Sequence, residues 1–479
     1  MKNSVWETIK GQLSLNLLFL ILATAVVLLL GGVLGTLSAD VNMAVTGIVI
    51  MALIIAFHQD QLAVTVVIAV HIYVDWYMGL HFVAPVMVLA LLCIFFLRRS
   101  PQYPWVEPRA LWLWLLFLVV ALFPVPRGLN LHDGETYYIT IIFSALTVFW
   151  LGLVVGRDVA SIRRLFEFLA VFGILMAIHT TIQGLTGITL FKVIPPGAIP
   201  KDPSFFEIVG TGLSRVEGFF LHPDTNGTFF ATVLFLPLGL LVHSSSLLKK
   251  VFYLAGVFIM LLALLFTYTT ASLAAALAGV FCFLVFVGRS GYRFLIPLLV
   301  FIAALAIVVA FPSQVAAQLQ HFGDSYEWPL RTGAWLTALN VIRAFPLTGL
   351  GMGDTVYIVR SDPYRVPDQF IPLYHPHNSY LEFATQGGLP LMVIFLAVLA
   401  SALWQAWHNW ASAKIGTRSL LAAGLTTVLT LCFNSLINPG WTIAPLASIG
   451  WLILGAISSP LLAKSLNGPM KEERSESDV

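Results

Sequence analysis

A histidine-rich segment, HPHNSYLE at residues 375–382, carries the side chains best suited to proton transfer in this chain. The ordinary pKa of histidine lies near neutrality, so His377 is a candidate general base. Asn378 could orient His377 or an acceptor hydroxyl. Asn378 or Ser379 could also cap a helix that has Glu382 in its first turn. Capping and catalysis are compatible, so both interpretations of the segment stay open.

Metal binding is a weaker interpretation of the same segment. A lone His-x-His pair, His375 and His377, supplies too few ligands for a metal site, and no cysteine lies nearby. The three cysteines, Cys93, Cys282 and Cys432, lie inside apolar runs, where a free thiol packs as a small hydrophobic side chain. We therefore expect no metal, no other cofactor and no disulfide framework.

Two arginines outside the apolar runs are candidate ligands for an anion. Arg215 lies in SRVEGFFLHPDTNG, residues 214–227, and Arg331 lies in LRTGAWLTALNVIRA, residues 330–344. The guanidinium group presents a planar fork of donors that suits phosphate. The spacing in the second stretch predicts a helix that places Arg331 and Trp335 on one face. Arg215 could alternatively extend towards lipid headgroups at a membrane surface.

Pro346 should end this helix, and a glycine-rich stretch, GLGMGD at 349–354, follows it. Successive backbone N–H groups of such a turn could hold a phosphate. However, the stretch lacks the Lys-Ser/Thr and the strand–turn–helix context of the known phosphate-binding loops. A tight turn that needs positive φ angles is the favoured interpretation.

The composition shows what kind of scaffold must position these residues. Of the 479 residues, 59% are hydrophobic and 10% are charged, and the mean hydropathy is +0.91. Soluble domains carry about 25% charged residues, so a soluble enzyme, a disordered protein and a disulfide scaffold are excluded. The net charge of +2 gives no long-range field, and we expect no nucleic-acid partner.

Hydropathy predicts an all-α integral membrane protein with about 12–14 transmembrane helices of roughly 20 residues each. The candidate segments are 14–37, 41–57, 62–79, 82–97, 110–124, 135–155, 165–186, 226–243, 251–268, 271–288, 294–311, 388–407, 419–438 and 444–463. Of these, the segments 41–57, 110–124 and 271–288 are the weakest candidates.

The distribution of basic residues predicts the orientation. Most of the 25 Lys and Arg residues fall on one side if both termini are cytoplasmic, as the positive-inside rule requires. This arrangement predicts two outer loops, 187–225 and 312–387, the larger one partly helical. The chain then divides into N-terminal transmembrane helices (1–186), a core with both loops (187–407), C-terminal helices (408–463) and a disordered cytoplasmic tail (464–479).

Three stretches, SRVEGFFLHPDTNGTFFA, LRTGAWLTALNVIRAFPLTGLGMG and HPHNSYLEFATQGGLPLMVIFL, give the chain a resemblance to a known family. Together they resemble the O-antigen ligase and O-antigen polymerase superfamily of polytopic membrane glycosyltransferases, over roughly residues 210–400. Many members carry a Ser-Arg pair where this chain has Ser272 followed by Leu273. If that arginine binds substrate in relatives, Arg215 or Arg331 must do so here.

The resemblance implies transfer of a glycan from undecaprenyl diphosphate to an acceptor hydroxyl on the outer face of the inner membrane. It implies His377 as the catalytic residue, a metal-independent inverting reaction, and substrate binding by Arg215, Arg331, Asn378, His375 and Trp335. Expected partners are the lipid-linked donor, a glycan or lipid A-core acceptor, membrane lipid and a chain-length regulator.

The sequence does not distinguish three classes of acceptor. These are a lipid A-core in a ligase, a second lipid-linked repeat unit in a polymerase, and a protein hydroxyl. A transporter or flippase of lipid-linked glycans is the alternative from another class. It would need ionisable residues at the bilayer midplane. An enzyme instead predicts that Arg215, Arg331 and His377 converge at one site although they are distant in sequence.

Overall fold

The computed structural model describes residues 48, 50, 54, 59–73, 82–97, 106–188, 207–208, 213–287, 292–322, 327–366 and 373–467. It is 82% helical, which confirms the all-α prediction. Within the described residues the only strands are β1 (Glu207–Ile208) and β2 (Leu213–Ser214), a short antiparallel pair. The predicted span 14–37, most of 41–57 and the tail after Asn467 lie outside the described residues.

Sixteen helices of four residues or more follow one another along the described chain, three short 3₁₀ turns aside. They are α1 (Asp60–Val70), α2 (Val83–Leu97), α3 (Leu111–Leu122), α4 (Leu131–Val155), α5 (Val159–Thr186), α6 (Pro223–His243), α7 (Leu247–Phe266), α8 (Thr270–Val287), α9 (Tyr292–Ala310), α10 (Pro312–Phe322), α11 (Glu327–Ala344), α12 (Val356–Arg360), α13 (Ser379–Ser412), α14 (Ile415–Asn434), α15 (Ala444–Ser458) and α16 (Pro460–Asn467).

Eight helical segments in the described part of the chain are long and apolar enough to cross a membrane, and a bent pair formed by α9 and α10 would make nine. The eight include α8, which was among the weakest candidates. Of the other expected spans, 14–37 and most of 41–57 lie outside the described residues, α9 belongs to the bent pair, and α1, α2 and α3 are apolar but short. The 12 residues of α3 extend only about 18 Å, against about 30 Å of hydrocarbon.

Local capping explains where several helices begin. The side chain of Asn130 accepts a hydrogen bond from the N–H of Asp133, and Asp158 accepts one from Ser161 at the start of α5. Asn378 accepts from the N–H groups of residues 380 and 381 at the start of α13. Each cap satisfies donors that the first helical turn leaves unpaired.

The core of the bundle forms where α15 packs against α4. Glycines allow this approach, because a Cβ added at Gly152 would lie 2.3 Å from the carbonyl oxygen of Leu452. Small residues bring helix backbones together in this way inside membranes. Buried aromatic rings fill the space beside the contact, with the Trp441 and Trp451 ring centroids 4.8 Å apart.

Hydrogen bonds between helix ends show which ends lie on the same side of the bundle. At the loop end, defined here by the ends of α7 and α14 and the starts of α6 and α13, Ser379 N–H donates to the carbonyl oxygen of Ser435 over 3.0 Å. At the opposite end, His243 lies 2.8 Å from the carbonyl oxygen of Gly416. The segments that hold Arg215, Arg331 and His377 all belong to the loop end.

The start of α13 differs from the predicted span 388–407, because the helix begins at Ser379 inside the predicted loop 312–387. Gly388 interrupts it with φ 76° and ψ 177°, which separates a short segment, 379–387, from the long one. The N–H of Leu389 donates to the carbonyl oxygen of Pro346 over 2.7 Å. The hydrophobic run marks the long segment, whereas the cap at Asn378 marks the true beginning.

The glycine-rich turn is a structural turn, as favoured. Gly349, Gly351 and Gly353 all have positive φ angles. The N–H of Leu350 donates to Thr385 O over 2.7 Å, and that of Gly351 donates to Gln386 O over 3.1 Å. These amides satisfy the last carbonyls of segment 379–387, so they do not form a cradle for phosphate.

We predict that Gly388→Ala destabilises the protein by about 3 kcal/mol or more, because alanine is strained at this φ/ψ and its Cβ would lie 2.5 Å from the Leu347 backbone. Thermal unfolding in detergent, followed by circular dichroism, measures the change. Gly416→Ala is the control, because nothing lies within 4 Å of its added Cβ. Equal melting temperatures for the two variants would contradict the prediction.

Candidate functional site

A buried ion cluster at the loop end joins both predicted arginines through one carboxylate. Arg215 Nη2 pairs with Asp224 Oδ1, and Arg331 Nη2 lies 3.4 Å from Asp224 Oδ2. The relative exposure of the three side chains is 12% or less. Two guanidinium groups therefore face one carboxylate from opposite segments of the chain.

Backbone and hydroxyl oxygens hold Arg215 in place. Its Nε donates to the carbonyl oxygen of Thr267 over 3.2 Å, and its Nη2 donates to Oγ1 of Thr269 over 3.3 Å. The next residue, Val216, donates its N–H to the carbonyl oxygen of Phe266 over 3.0 Å. The turn between α7 and α8 therefore holds the Arg215 side chain next to the start of α6.

Arg331 is fixed from a different direction. Its Nη1 donates to the carbonyl oxygen of Ile437 over 2.6 Å and to Asn438 Oδ1 over 3.0 Å, both in the link between α14 and α15. The helix predicted at 330–344 is present as α11, and Arg331 is its fifth residue. Arg331 thus connects the loop helix to two transmembrane helix ends.

The two predicted histidines lie beside this cluster. The N–H of His377 donates to Nδ1 of His375 over 3.2 Å, and their ring centroids are 4.4 Å apart. His377 has a left-handed φ of 50°, a conformation that strains a residue with a Cβ. Its Nδ1 atom is buried and has no hydrogen-bond partner among the described residues. A strained residue with an unpaired ring nitrogen is typical of a functional position.

The environment keeps both histidines neutral. Burial lowers the pKa of His375 to about 4. Burial also lowers the pKa of His377 well below its usual value, and the neighbouring His375 and the positive charge of Arg331 lower it further. Asp224 is close enough to oppose this shift in both residues. Neutral imidazole can accept a proton, whereas imidazolium cannot.

Asn378 and Trp335 have separate positions around the cluster. Asn378 caps α13, and its Nδ2 donates to the carbonyl oxygen of Leu436 over 2.9 Å, so its amide groups position His377 through the backbone. Trp335 lies one turn after Arg331 and packs edge-to-face on Trp328 at 5.8 Å. The indole Nε1 of Trp335 is buried without a hydrogen-bond partner in the described part of the chain.

Asp224 is a member of the site that the sequence analysis did not identify. It lies at the start of α6, which Pro223 opens, and His222 accepts a hydrogen bond from the Asp224 N–H over 3.2 Å. An ionisable residue in the first turn of a transmembrane helix was the available signal. Its pairing with an arginine 107 residues away had no local signal.

A polar network continues from the cluster into the bundle. Thr228 Oγ1 donates to Asn434 Oδ1 over 2.8 Å, and Asn434 Nδ2 donates to Oγ of Ser272 over 3.0 Å. Ser272 therefore contributes to helix packing. Among the described residues, Arg215 and Arg331 are the arginines that pair with Asp224.

Eight apolar helices of sufficient length define a multi-pass membrane protein. Within it, residues 255–396 match the family model Wzy_C, described as O-antigen ligase. This match confirms the resemblance to the O-antigen ligase-related superfamily, and it indicates a membrane enzyme of O-antigen or polysaccharide assembly that transfers glycosyl groups. The matched range includes Arg331, Trp335 and His377, whereas Arg215 and Asp224 precede it. No curated protein matches the chain.

We predict that Asp224→Asn destabilises the protein by about 3–5 kcal/mol, because it leaves two buried guanidinium groups without their carboxylate. Asp362→Asn is the matched control, since Asp362 also pairs with an arginine, at 3.4 Å, but is 56% exposed. Loss of that exposed pair should cost about 1 kcal/mol or less. Thermal unfolding compares the two variants, and a small effect at both positions would refute the structural role of Asp224.

Proposed function

We propose that this protein is a metal-independent, inverting glycosyltransferase of O-antigen or surface polysaccharide assembly. It moves a glycan from undecaprenyl diphosphate to an acceptor hydroxyl on the outer face of the cytoplasmic membrane. The observation that carries the proposal is the convergence of Arg215, Arg331 and His377 around Asp224 at one end of a membrane bundle.

The two arginines suit a diphosphate leaving group. Negative charge develops on the bridging oxygen as the glycosidic bond breaks, and fixed guanidinium groups stabilise it without reorganisation. The guanidinium donors attract the anion, while Asp224 holds both side chains in one orientation. In this proposal Arg215 and Arg331 bind the diphosphate at the membrane surface.

His377 accepts the proton of the acceptor hydroxyl as that oxygen attacks the anomeric carbon. The new C–O bond forms on the face opposite the departing diphosphate, so the configuration inverts. A bound diphosphate brings negative charge close to Arg331 and raises the low pKa of His377. Donor binding therefore makes His377 a stronger base at the moment when the acceptor needs one.

The other predicted residues support binding. His375 accepts the N–H of His377, and Asn378 caps the helix that follows, so both fix the position of the base. The ring of Trp335 offers an apolar face to a sugar, and its unpaired indole N–H can donate to a hydroxyl.

The charge distribution supports placing the loop end outside. Short connections and helix starts at the opposite end carry Arg157, Arg163, Arg164, Lys249, Lys250, Lys414, Arg418 and Lys464. The positive-inside rule places that end in the cytoplasm. The charged cluster lies at helix ends rather than at the midplane, which favours an enzyme over a transporter.

A reconstituted transfer assay tests the proposal. Liposomes receive the protein and undecaprenyl-diphosphate-linked repeat units as the only glycan, with EDTA present. A ladder of longer lipid-linked glycans identifies a polymerase, whereas transfer only after addition of lipid A-core identifies a ligase. Failure with both acceptors contradicts the proposal, and recovery on addition of a divalent ion contradicts metal independence.

We predict that His377→Ala lowers kcat by about 10²–10⁴-fold, the usual contribution of a general base. The variant should fold normally, because the His377 ring makes no hydrogen bond through Nδ1. His408→Ala is the control, since His408 is exposed and contacts only its own helix and Trp404. Activity near wild type in His377→Ala would eliminate the assignment of the base.

The pH dependence gives a second prediction. A base works in its neutral form, so activity is lost as the pH falls through its pKa. A histidine of ordinary pKa, about 6.5, would lose about three-quarters of its neutral form at pH 6. Because the pKa of His377 is lowered, kcat/KM should stay constant from about pH 7.5 to 5.5. A fall centred between pH 6 and 7 would contradict the site's electrostatics.

A further inference from the structure

A second pair of arginines, Arg127 and Arg360, lies at the loop end outside the Asp224 cluster. We propose that this pair binds the phosphate or diphosphate of the acceptor lipid, so that the enzyme holds two lipid-linked anions at once. The identity of that lipid as an acceptor rests on the proposed function. The binding of a lipid phosphate rests on the geometry of the pair.

The two arginines are held together by backbone groups. Arg360 Nη1 donates to the carbonyl oxygens of Arg127 and, over 2.5 Å, of Leu350. Its Nη2 donates to the carbonyl oxygen of Gly128 over 3.1 Å. Arg127 Nη2 donates to the carbonyl oxygen of Gly349 over 3.2 Å. Both guanidinium groups thus have fixed positions around the glycine-rich turn.

Within the described residues, no carboxylate pairs with either arginine. The acids nearest in the chain have other partners, since Asp362 pairs with Arg365 at 3.4 Å. Asp133 accepts from the N–H of Asp354 over 3.3 Å and from the Thr355 hydroxyl over 3.1 Å. Carbonyl oxygens orient a guanidinium group but do not neutralise it, so the pair keeps both positive charges for an external anion.

A cleft beside the pair provides room for the anion. Its volume is ≈ 400 Å³, and Arg127, Arg360 and the ring of Tyr364 form part of its wall. Small-molecule sites commonly occupy about 300–1,000 Å³. The cleft is therefore large enough for a phosphate or diphosphate with its first sugar.

The surroundings indicate that the anion belongs to a lipid. Arg127 follows α3, where Leu122 is 50% and Phe123 is 71% exposed. On the other side of the pair, Leu347 is 73% and Val359 is 55% exposed. Exposed apolar side chains next to a transmembrane bundle favour contact with lipid, and basic residues at the edge of such a surface favour anionic headgroups. A lipid tail can follow α3 while its phosphate reaches Arg127.

A short helical segment lies between His377 and the second arginine pair. Segment 379–387 begins beside His377 and ends where the glycine-rich turn bonds to Thr385 and Gln386, so roughly 12 Å of helix lies between His377 and the turn that holds the pair. The donor diphosphate occupies Arg215 and Arg331 in the proposed function. A second anchored anion at this distance would leave room for the acceptor sugar to reach His377.

Native mass spectrometry of the full-length protein in detergent, with undecaprenyl diphosphate as the probe, counts the sites directly. Wild type should bind two molecules, and Arg127→Gln should bind one. This variant should stay folded, because Arg127 is exposed and, within the described residues, its side chain makes a single hydrogen bond, to Gly349. Arg343→Gln is the matched control, since Arg343 is exposed and its side chain bonds, in the same part of the chain, to Asn340 alone, at 3.3 Å. One molecule on wild type, or two on Arg127→Gln, would overturn the proposal.

Phosphatidylglycerol serves as the competitor that distinguishes a substrate from bulk lipid. Displacement of the second molecule by equimolar phosphatidylglycerol would show a headgroup contact only and would overturn an acceptor site. Retention of undecaprenyl diphosphate at the Arg127 site supports the proposal.

Kinetics in the transfer assay supply the remaining test. Arg127→Gln should raise the KM for the acceptor about tenfold, the loss of about 1.4 kcal/mol, and leave kcat and the donor KM unchanged. An unchanged acceptor KM would overturn the acceptor assignment. If wild type transfers nothing, the proposed function fails, whereas the count of bound lipids still decides whether the second site exists.

Discussion

The carboxylate of Asp224 is the interaction on which the arrangement of the site depends. It pairs with Arg215 and Arg331, which arrive from segments on either side of it in the chain. A buried charge without its partner is costly, so both arginines depend on the Asp224 carboxylate. The beginning of α6, the turn after α7 and the beginning of α11 are thereby held together. His377 takes its electrostatic environment from this assembly.

The short helical segment 379–387 connects the chemistry to the rest of the loop. His377 and the cap at Asn378 lie at its beginning, and the glycine-rich turn closes its end through Thr385 and Gln386. Gly388 then changes the direction of the chain before the membrane span. Both ends of the segment form hydrogen bonds, through the cap at one end and the glycine-rich turn at the other. The positions of the proposed base and of the second arginine pair therefore depend on one helical segment.

The same positive charges have two opposing effects in the proposed reaction. They attract a diphosphate, and they also lower the pKa of His377, which weakens it as a base. A bound donor reverses the second effect by neutralising Arg331. The charge balance of the site therefore links donor binding to acceptor activation, without a conformational change.

Properties that repeat along the chain were predictable from the sequence alone. Apolar runs located the eight long helices of the described residues, the spacing around Trp335 predicted α11, and the residue types of 375–382 indicated the cap at Asn378. Hydropathy and capping act within one or two helical turns, which explains this success. The pairing of Arg331 with Asp224 and the early start of α13 arise from contacts between segments distant in sequence. Only the packing of the bundle decided these features, because burial creates the cost that an ion pair must offset.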